Sequence, residues 1–322
     1  MKQILVHEPG GPEAMTLADV PTPVPPPGHV LVAIHVSGVN FLDVYFRTGL
    51  YKSDHPIAIG SEAAGVIEAV GEGVSGLAVG ERVAYTMVRG TYAEYAAVPA
   101  VNVIRIPDAL TFETAAAVLL QGTTAHYLTR STFPLDDTHA CLVHAAAGGA
   151  GGLVVQMAKG AGAWVIGTVS TETKAQEVRG LGADHVVIYT EQDFEAEARR
   201  LTGGKGVHVV YDSVGRTTFD KSLKALRPRG MLVLFGQSSG AVVPVDPLTL
   251  NAGSLFLTRP SLGHYITAPD ELRWRAGEVF DLVARGGLKV RVSATYPLAD
   301  AAQAHRDLEA RKSHGKLLLA VR

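Results

Sequence analysis

Only one cysteine, Cys141, stands in the 322 residues. A chain with a single thiol closes no disulfide within itself and builds no cysteine-rich zinc site, so a reducing, cytoplasmic setting is expected. An excess of one charge is also missing. Lys plus Arg number 29 against 31 Asp plus Glu, a formal net charge of −2, which gives nucleic acid or an anionic membrane surface no electrostatic reason to bind. No apolar run reaches the roughly 18 residues of a membrane-spanning helix. The opening Met1 to His7 reads as a short strand interrupted by Glu8 and Pro9, not as a signal peptide. The 12 histidines are scattered without H-x-x-x-H or H-E-x-x-H spacing, and catalytic zinc needs three converging ligands, so no metal is expected. Internal repeats, long charge runs and low-complexity segments are absent as well.

What is present is ample apolar material: 47% of residues are hydrophobic, and a chain of this length has two domains as its prior. Residues 2 to about 100 alternate apolar and polar positions over short runs broken by Gly and Pro, as at 30–36, 64–70, 82–87 and 93–98. That pattern predicts an antiparallel, barrel-like domain. The Pro-rich stretch 21–27 lacks flanking basic residues and reads as a surface connection. Around Ala109 the pattern turns helical, with Thr111 and Thr114 near a helix start and a second helix expected from Gln121.

The most informative stretch is Cys141 to Lys159. A short apolar run passes into small residues from Ala146 to Gly152, continues as a helix, stops at Gly160 to Gly162, and resumes as the strand Trp164 to Val169. Strand, tight turn, helix and parallel strand form a dinucleotide-binding unit, in which backbone N–H groups meet a pyrophosphate only if no side chain intervenes. The fit to G-x-G-x-x-G is imperfect, because Ala146 stands ahead of Gly148 and Gly151. Strands predicted at 185–189, 207–212 and 230–235 alternate with helices at 173–181, 191–201 and 216–226, which argues a parallel sheet covered on both faces. After Pro260 come a helix near 270–285, a strand near 288–296, a helix near 299–310 and a last strand, 316–321, a tail that returns to the first domain.

Cofactor choice follows from one position. NAD-binding units carry an acid at the end of the second strand to hold the ribose 2′-hydroxyl. Here that strand runs into Ser170-Thr171, with no carboxylate before Glu172, while Lys174 lies one turn on and Tyr189 ends the next strand. Hydroxyls and a lysine suit a 2′-phosphate, so NADPH is expected. Taken alone, Lys174 reads better as a solvated helix residue; its coincidence with the missing acid turns the reading toward the 2′-phosphate.

Seven segments together carry a family resemblance: Val39 to Tyr45, Gly60 to Gly65, Gln121 to His126, Ala145 to Gly151, Tyr211 to Gly215, Leu234 to Gly240 and Thr258 to Leu262. Over nearly its whole length the chain resembles the zinc-independent, zeta-crystallin-like quinone oxidoreductases of the medium-chain dehydrogenase/reductase superfamily. Zinc-dependent relatives carry a ligand cysteine where this chain has Asn40 and a ligand histidine where it has Ser61, and their four-cysteine lobe would fall near 89–92. The resemblance implies an α/β fold, a Rossmann doubly wound parallel sheet inserted in a GroES-like, mostly-β catalytic domain, with limits at 1–123, 124–262 and 263–322.

It also implies site residues. Asn40, Tyr45 and Tyr51 would line the catalytic site as hydrogen-bond donors to the acceptor oxygen. Tyr127, Gly148, Gly149, Ala150 and Gly151 would face the pyrophosphate region. Ser170, Thr171, Lys174 and Tyr189 would surround the 2′-phosphate, and Ser213, Phe235, Gly236, Gln237, Ser238 and Arg311 would make further cofactor contacts. Ala150 replaces the family's usual valine, and Gln237 an asparagine common in close relatives. The expected activity is metal-free, NADPH-dependent reduction of quinones, including one-electron reduction to semiquinones. The alternatives are an NADPH-dependent alkenal or enone reductase, and an NADPH-binding, crystallin-like or RNA-binding protein with little turnover. The segment 254–258 reads as an uncovered apolar sheet edge, which together with the family implies a homodimer.

Overall fold

The computed structural model describes residues 1–310 and 313–322. The chain divides into two compact units, one formed by Met1–Thr123 and Thr267–Arg322, the other by Thr124–Ile266. The first segment holds strands β1 (Lys2–Val6), β2 (Met15–Asp19) and β3 (His29–Val39), helix α1 (Phe41–Arg47), and strands β4 (Ile57–Ala58), β5 (Glu62–Val70), β6 (Arg82–Thr86), β7 (Tyr95–Pro99) and β8 (Val103–Arg105), before helix α2 (Phe112–Tyr127).

The second unit alternates strand and helix as far as β13: β9 (Ala140–Val143), α3 (Gly149–Gly160), β10 (Trp164–Val169), α4 (Glu172–Gly180), β11 (His185–Ile188), α5 (Phe194–Leu201), β12 (Val207–Asp212), α6 (Phe219–Ala225) and β13 (Leu226–Leu234), followed by β14 (Phe256–Thr258). The chain then returns to the first unit as α7 (Pro269–Ala284), β15 (Val292–Pro297), α8 (Ala301–Glu309) and β16 (Lys316–Ala320).

In the first unit a seven-stranded sheet has the order β15-β16-β3-β5-β6-β8, with β7 also paired to β3, and a three-stranded sheet has the order β2-β1-β4. The long strand β3 is the hub. It pairs antiparallel with β5, β7 and β16. Its alternate apolar residues Val30, Val32 and Ile34 bury against Ala63, Ile67, Val83 and Tyr85. The register Leu317↔Val39 brings the start of β16 beside the end of β3, and so brings Lys316 to Asn40, 276 positions away in the chain.

In the second unit all pairings of the six-stranded sheet are parallel, in the order β11-β10-β9-β12-β13-β14. Numbered from β9, that is 3-2-1-4-5-6, the doubly wound order whose switch point lies between the first and fourth strands. Its core is Leu142, Ile166, Val187, Val210 and Leu232, near-continuous apolar strands of the kind a doubly covered sheet demands.

Two local readings of the sequence are corrected. Gln121 does not start a new helix: α2 runs unbroken from Phe112 to Tyr127 and ends in a π-helical turn, Leu128–Thr132. Gly122 does not interrupt it, because its role is close approach; a Cβ there would lie 2.6 Å from Val279 Cγ1 of α7. The edge strand is shorter than 254–258, because Ser254 takes a left-handed φ of 49° and pairing begins only at Phe256.

Candidate active site

In the second unit the strand β9 ends in a turn made by its own backbone. Ala145 adopts φ 49°, and the Gly148 N–H returns to its carbonyl at 2.8 Å. Helix α3 starts immediately afterwards, with Gly148 as N-cap and no side chain capping it. Its first i→i−4 bond is Gly152 N–H to the Gly148 carbonyl, so the N–H groups of Gly149, Ala150 and Gly151 precede the helical ladder and point out of the helix end. Only small residues fit here. A Cβ on Gly151 would overlap the Ala145 carbonyl oxygen and lie 2.9 Å from its carbon. Such a cradle suits a pyrophosphate.

Two neighbouring turns complete this edge of the sheet. After β10, Thr171 caps α4 by accepting from the Lys174 N–H at 3.3 Å, the Tyr189 N–H bonds the Val169 carbonyl at 3.0 Å, and Thr190 reaches the Ser170 carbonyl. Ser170, Thr171, Lys174 and Tyr189 therefore gather at one corner, where the carboxylate that follows, Glu172, pairs with Arg179. After β12, Asp212 organises the loop. Its carboxylate accepts from the N–H groups of Val214 and Gly215 and from the hydroxyls of Thr218 and Ser222. Its carbonyl accepts from Phe235, and that of Ser213 from Ser238. A Cβ on Gly236 would lie 2.6 Å from the Ser213 carbonyl oxygen. Ser213, Phe235, Gly236, Gln237 and Ser238 thus form one double turn at the carboxyl ends of β12 and β13.

Behind it, buried His144 bridges Thr168 and Ser222 at 2.9 Å each, and burial holds its pKa below the ordinary value against the pull of Asp212. Tyr127 is buried and stacks on Tyr265, with ring centroids 4.3 Å apart. Arg311 lies outside the described residues. A cavity of about 1210 Å³ sits elsewhere, at the amino ends of the strands, lined by His139, Trp164, His208 and Arg227; open α/β sheets bind ligands at the opposite edge.

In the first unit the sequence-predicted residues cluster on and around α1. Asn40 is its N-cap, in a capping box with Asp43. Tyr45 is buried on the helix. Tyr51 follows it, with its N–H on the Tyr45 carbonyl at 3.0 Å and the two rings 5.3 Å apart. The Asn40 amide is heavily committed. Its Nδ2 donates to the Gly38 carbonyl at 3.2 Å and to Glu62 Oε2 at 3.1 Å, and its Oδ1 accepts from Lys316 Nζ at 2.7 Å and from Gln121 at 3.5 Å. Glu62 and Lys316 form a fully buried ion pair.

A second chain of polar groups runs from the same helix. Ser61 donates to Asp43 Oδ1 at 2.7 Å, and the Tyr92 hydroxyl donates to Oδ2 at 3.1 Å. Tyr92 meets His305 Nε2 at 3.1 Å, and His305 Nδ1 faces Arg47, which also pairs with Glu309. Arginine cannot accept, so His305 Nδ1 accepts and its proton sits on Nε2. Burial lifts the Asp43 carboxyl to about 6, against the opposing hydrogen bonds of Ser61 and Asn40 N–H, and lowers His305 to about 3.

Glu62, Lys316, Asp43, Tyr92 and His305 were missed by sequence reasoning. The available signals were weak: an acid opening the small apolar run Ala63–Ala64 and a lysine opening the apolar strand Leu317–Leu319. Among the described residues no group of three or more His, Cys, Asp or Glu side chains is gathered to hold a metal ion, and none of the helices is long and apolar enough to cross a membrane.

The chain matches two family models, the alcohol dehydrogenase GroES-like domain over residues 26–108 and the zinc-binding dehydrogenase over 149–275. It is 43% identical to quinone oxidoreductase 1 of Escherichia coli, over 98% of each chain. It is 42% identical to a 2-haloacrylate reductase of a Burkholderia species, over 98% of this chain and 97% of that one. A mycobacterial protein solved in complex with NADPH superposes over 100% of both chains with a TM-score of 0.97 at 48% identity. The sheet order, the glycine turn and this similarity along the full length agree: the chain belongs to the quinone oxidoreductase family of the medium-chain dehydrogenase/reductase superfamily.

Proposed function

We propose that this protein is an enzyme that reduces quinones with NADPH, without a metal at the reacting centre. The observation that carries the reading is the fate of the positions where zinc-dependent relatives hold their ligands. Here they are Asn40 and Ser61, and both are tied into buried hydrogen bonds, to Lys316 and Glu62 and to Asp43. The similarity to quinone oxidoreductases along the whole chain supports the same acceptor class.

NADPH, when bound, supplies the hydride. The residues of the chain hold and orient. The N–H groups of Gly149, Ala150 and Gly151 take the pyrophosphate, with Tyr127 and the double turn of Ser213, Phe235, Gly236, Gln237 and Ser238 as further contacts. Ser170, Thr171, Lys174 and Tyr189 take the 2′-phosphate, at a corner where an acid would repel it. Tyr45 and Tyr51 stabilise negative charge that develops on the acceptor oxygen. A quinone spreads that charge by conjugation, so hydroxyl donors suffice where an alcohol/aldehyde pair would call for a Lewis acid. The committed amide of Asn40 makes it a holder of α1 rather than a donor to substrate. Arg311 stays a proposed cofactor contact on family grounds.

The test is oxidation of NADPH and NADH by the purified protein with 1,4-benzoquinone, 9,10-phenanthrenequinone and an enone. Quinone turnover faster with NADPH than with NADH, and unchanged by a chelator, is the expected result. Preference for NADH would overturn the reading of the β10 corner. A second reading has one specific support, the 2-haloacrylate reductase relative: reduction of an electron-poor alkene on the same scaffold. Turnover of the enone alone would select it, and tight NADPH binding with no turnover would leave a binding protein. We further propose a cytoplasmic homodimer paired along β14, whose Phe256 is 55% exposed at the sheet edge; a monomer in sedimentation would refute the pairing.

A further inference from the structure

We propose that Lys316 is a positioning residue for the reduction: its ammonium is an internal cation held against Asn40, which stands at a metal-ligand position of zinc-dependent relatives, and it fixes the Asn40 amide and thereby α1 with Tyr45. The inference rests on the reading of this site as the quinone-reducing centre.

Three observations carry it. First, Lys316 Nζ contacts Asn40 Oδ1 and Glu62 Oε2 together, with Lys316 1% and Glu62 0% exposed. Second, the fold makes room for this contact. Gly38 lies in β3 under the pair, and a Cβ there would overlap Glu62 Oε2 and lie 2.7 Å from the Ala116 carbonyl oxygen and 2.8 Å from Lys316 Cε. Third, the pair is wired to both neighbouring elements. Glu62 Oε1 accepts from the Leu120 N–H of α2, and Asn40 begins α1.

Stability alone does not account for a charge pair at this depth, because replacing a buried ion pair with well-packed neutral groups is often neutral or stabilising. What the pair provides is orientation. The lysine has only donors, so it fixes Oδ1 of Asn40 toward itself and Nδ2 toward Gly38 and Glu62. With Asn40 locked, the first turn of α1 and the ring of Tyr45 are set relative to the acceptor.

The experiment uses the full chain with NADPH and 1,4-benzoquinone. Lys316→Ala leaves Glu62 uncompensated, and its kcat is expected to fall at least tenfold and to be restored in part by added ethylammonium, which refills the cation's place. Because that variant can also misfold, the double variant Lys316→Met with Glu62→Gln removes both charges and keeps the volume. It is expected to bind NADPH within twofold of the parent and to lose at least tenfold in kcat. A double variant with parental kcat overturns the inference, as does ethylammonium that raises the melting temperature of Lys316→Ala without raising its kcat. If neither variant folds, nitrogen-15 NMR of the parent decides: the Lys316 ammonium and Asn40 amide signals should shift when a quinone joins the NADP⁺ complex, and unmoved signals refute a link to the acceptor. Absence of quinone turnover in the parent itself would instead defeat the functional reading.

Discussion

The two units build their working surfaces from opposite materials. In the Rossmann unit the strands are apolar almost throughout, and the site is made of backbone: N–H groups at the start of α3, carbonyls of Ala145 and Ser213, and glycines that let them approach. Of its buried polar side chains, His144 and Asp212 stand at strand ends, and both meet Ser222 of α6. In the catalytic unit the site is made of side chains, and charged groups run through the interior: Arg47, Asp43, Glu62 and Lys316 are all buried, as is the neutral His305. A backbone site tolerates exchange of side chains that point away from it. A side-chain site depends on each partner, since removing one leaves another unpaired in low dielectric.

Adding the same methyl group in each unit breaks the comparison most sharply. Gly38→Ala drives a carbon into the Lys316–Glu62 pair, and Gly151→Ala drives one into the Ala145 carbonyl. Each should cost about 3 kcal/mol or more of stability by overpacking, read as the shift in a urea midpoint. Their functional signatures should differ. Gly151→Ala should lose NADPH affinity, measured by fluorescence titration, whereas Gly38→Ala at low temperature should keep it and lose quinone turnover.

The next effect concerns pH. Folded Asp43 holds its proton up to about 6 against an ordinary 3.8, so between those values the folded chain binds more proton than the unfolded one. Stability then falls as pH rises, by about 3 kcal/mol for this group. His305, lowered from 6.5 to about 3, works in the other direction, since its contribution is lost as pH falls through that window. The two oppose each other. Asp43→Asn removes one of them, so its melting temperature should drop more steeply than the parent's between pH 6.5 and 4; parallel curves would refute the assignment. The smallest effect is at the cofactor corner. Lys174→Ala should raise KM for NADPH about tenfold, a loss on the order of 1.4 kcal/mol, and leave KM for NADH unchanged; equal changes for both would place Lys174 away from the 2′-phosphate.

The contrast also sets what could be read without coordinates. The alternation from β9 to β13, the glycine turn and the acid-free end of β10 are contiguous in sequence, so period and turn chemistry suffice to find them. Asn40, Tyr45 and Tyr51 came from motif resemblance. The partners that fix Asn40 lie on other strands, and Lys316 reaches it only because β16 pairs with β3. Strand pairing at such a separation leaves no periodic trace. The continuous α2 escaped for a local reason, since Gly122 resembles a breaker and is instead a contact point for Val279.

Quinones and haloacrylates are Michael acceptors, and they arylate or alkylate exposed thiolates. The chain's one thiol lies in β9 at the centre of the parallel sheet, 0% exposed, and burial pushes its pKa up to about 12. Cys141 is therefore neutral and out of reach. A catalyst that processes soft electrophiles in this fold offers them no thiolate of its own to consume, and a thiol reagent that does label it reports unfolding rather than the native state.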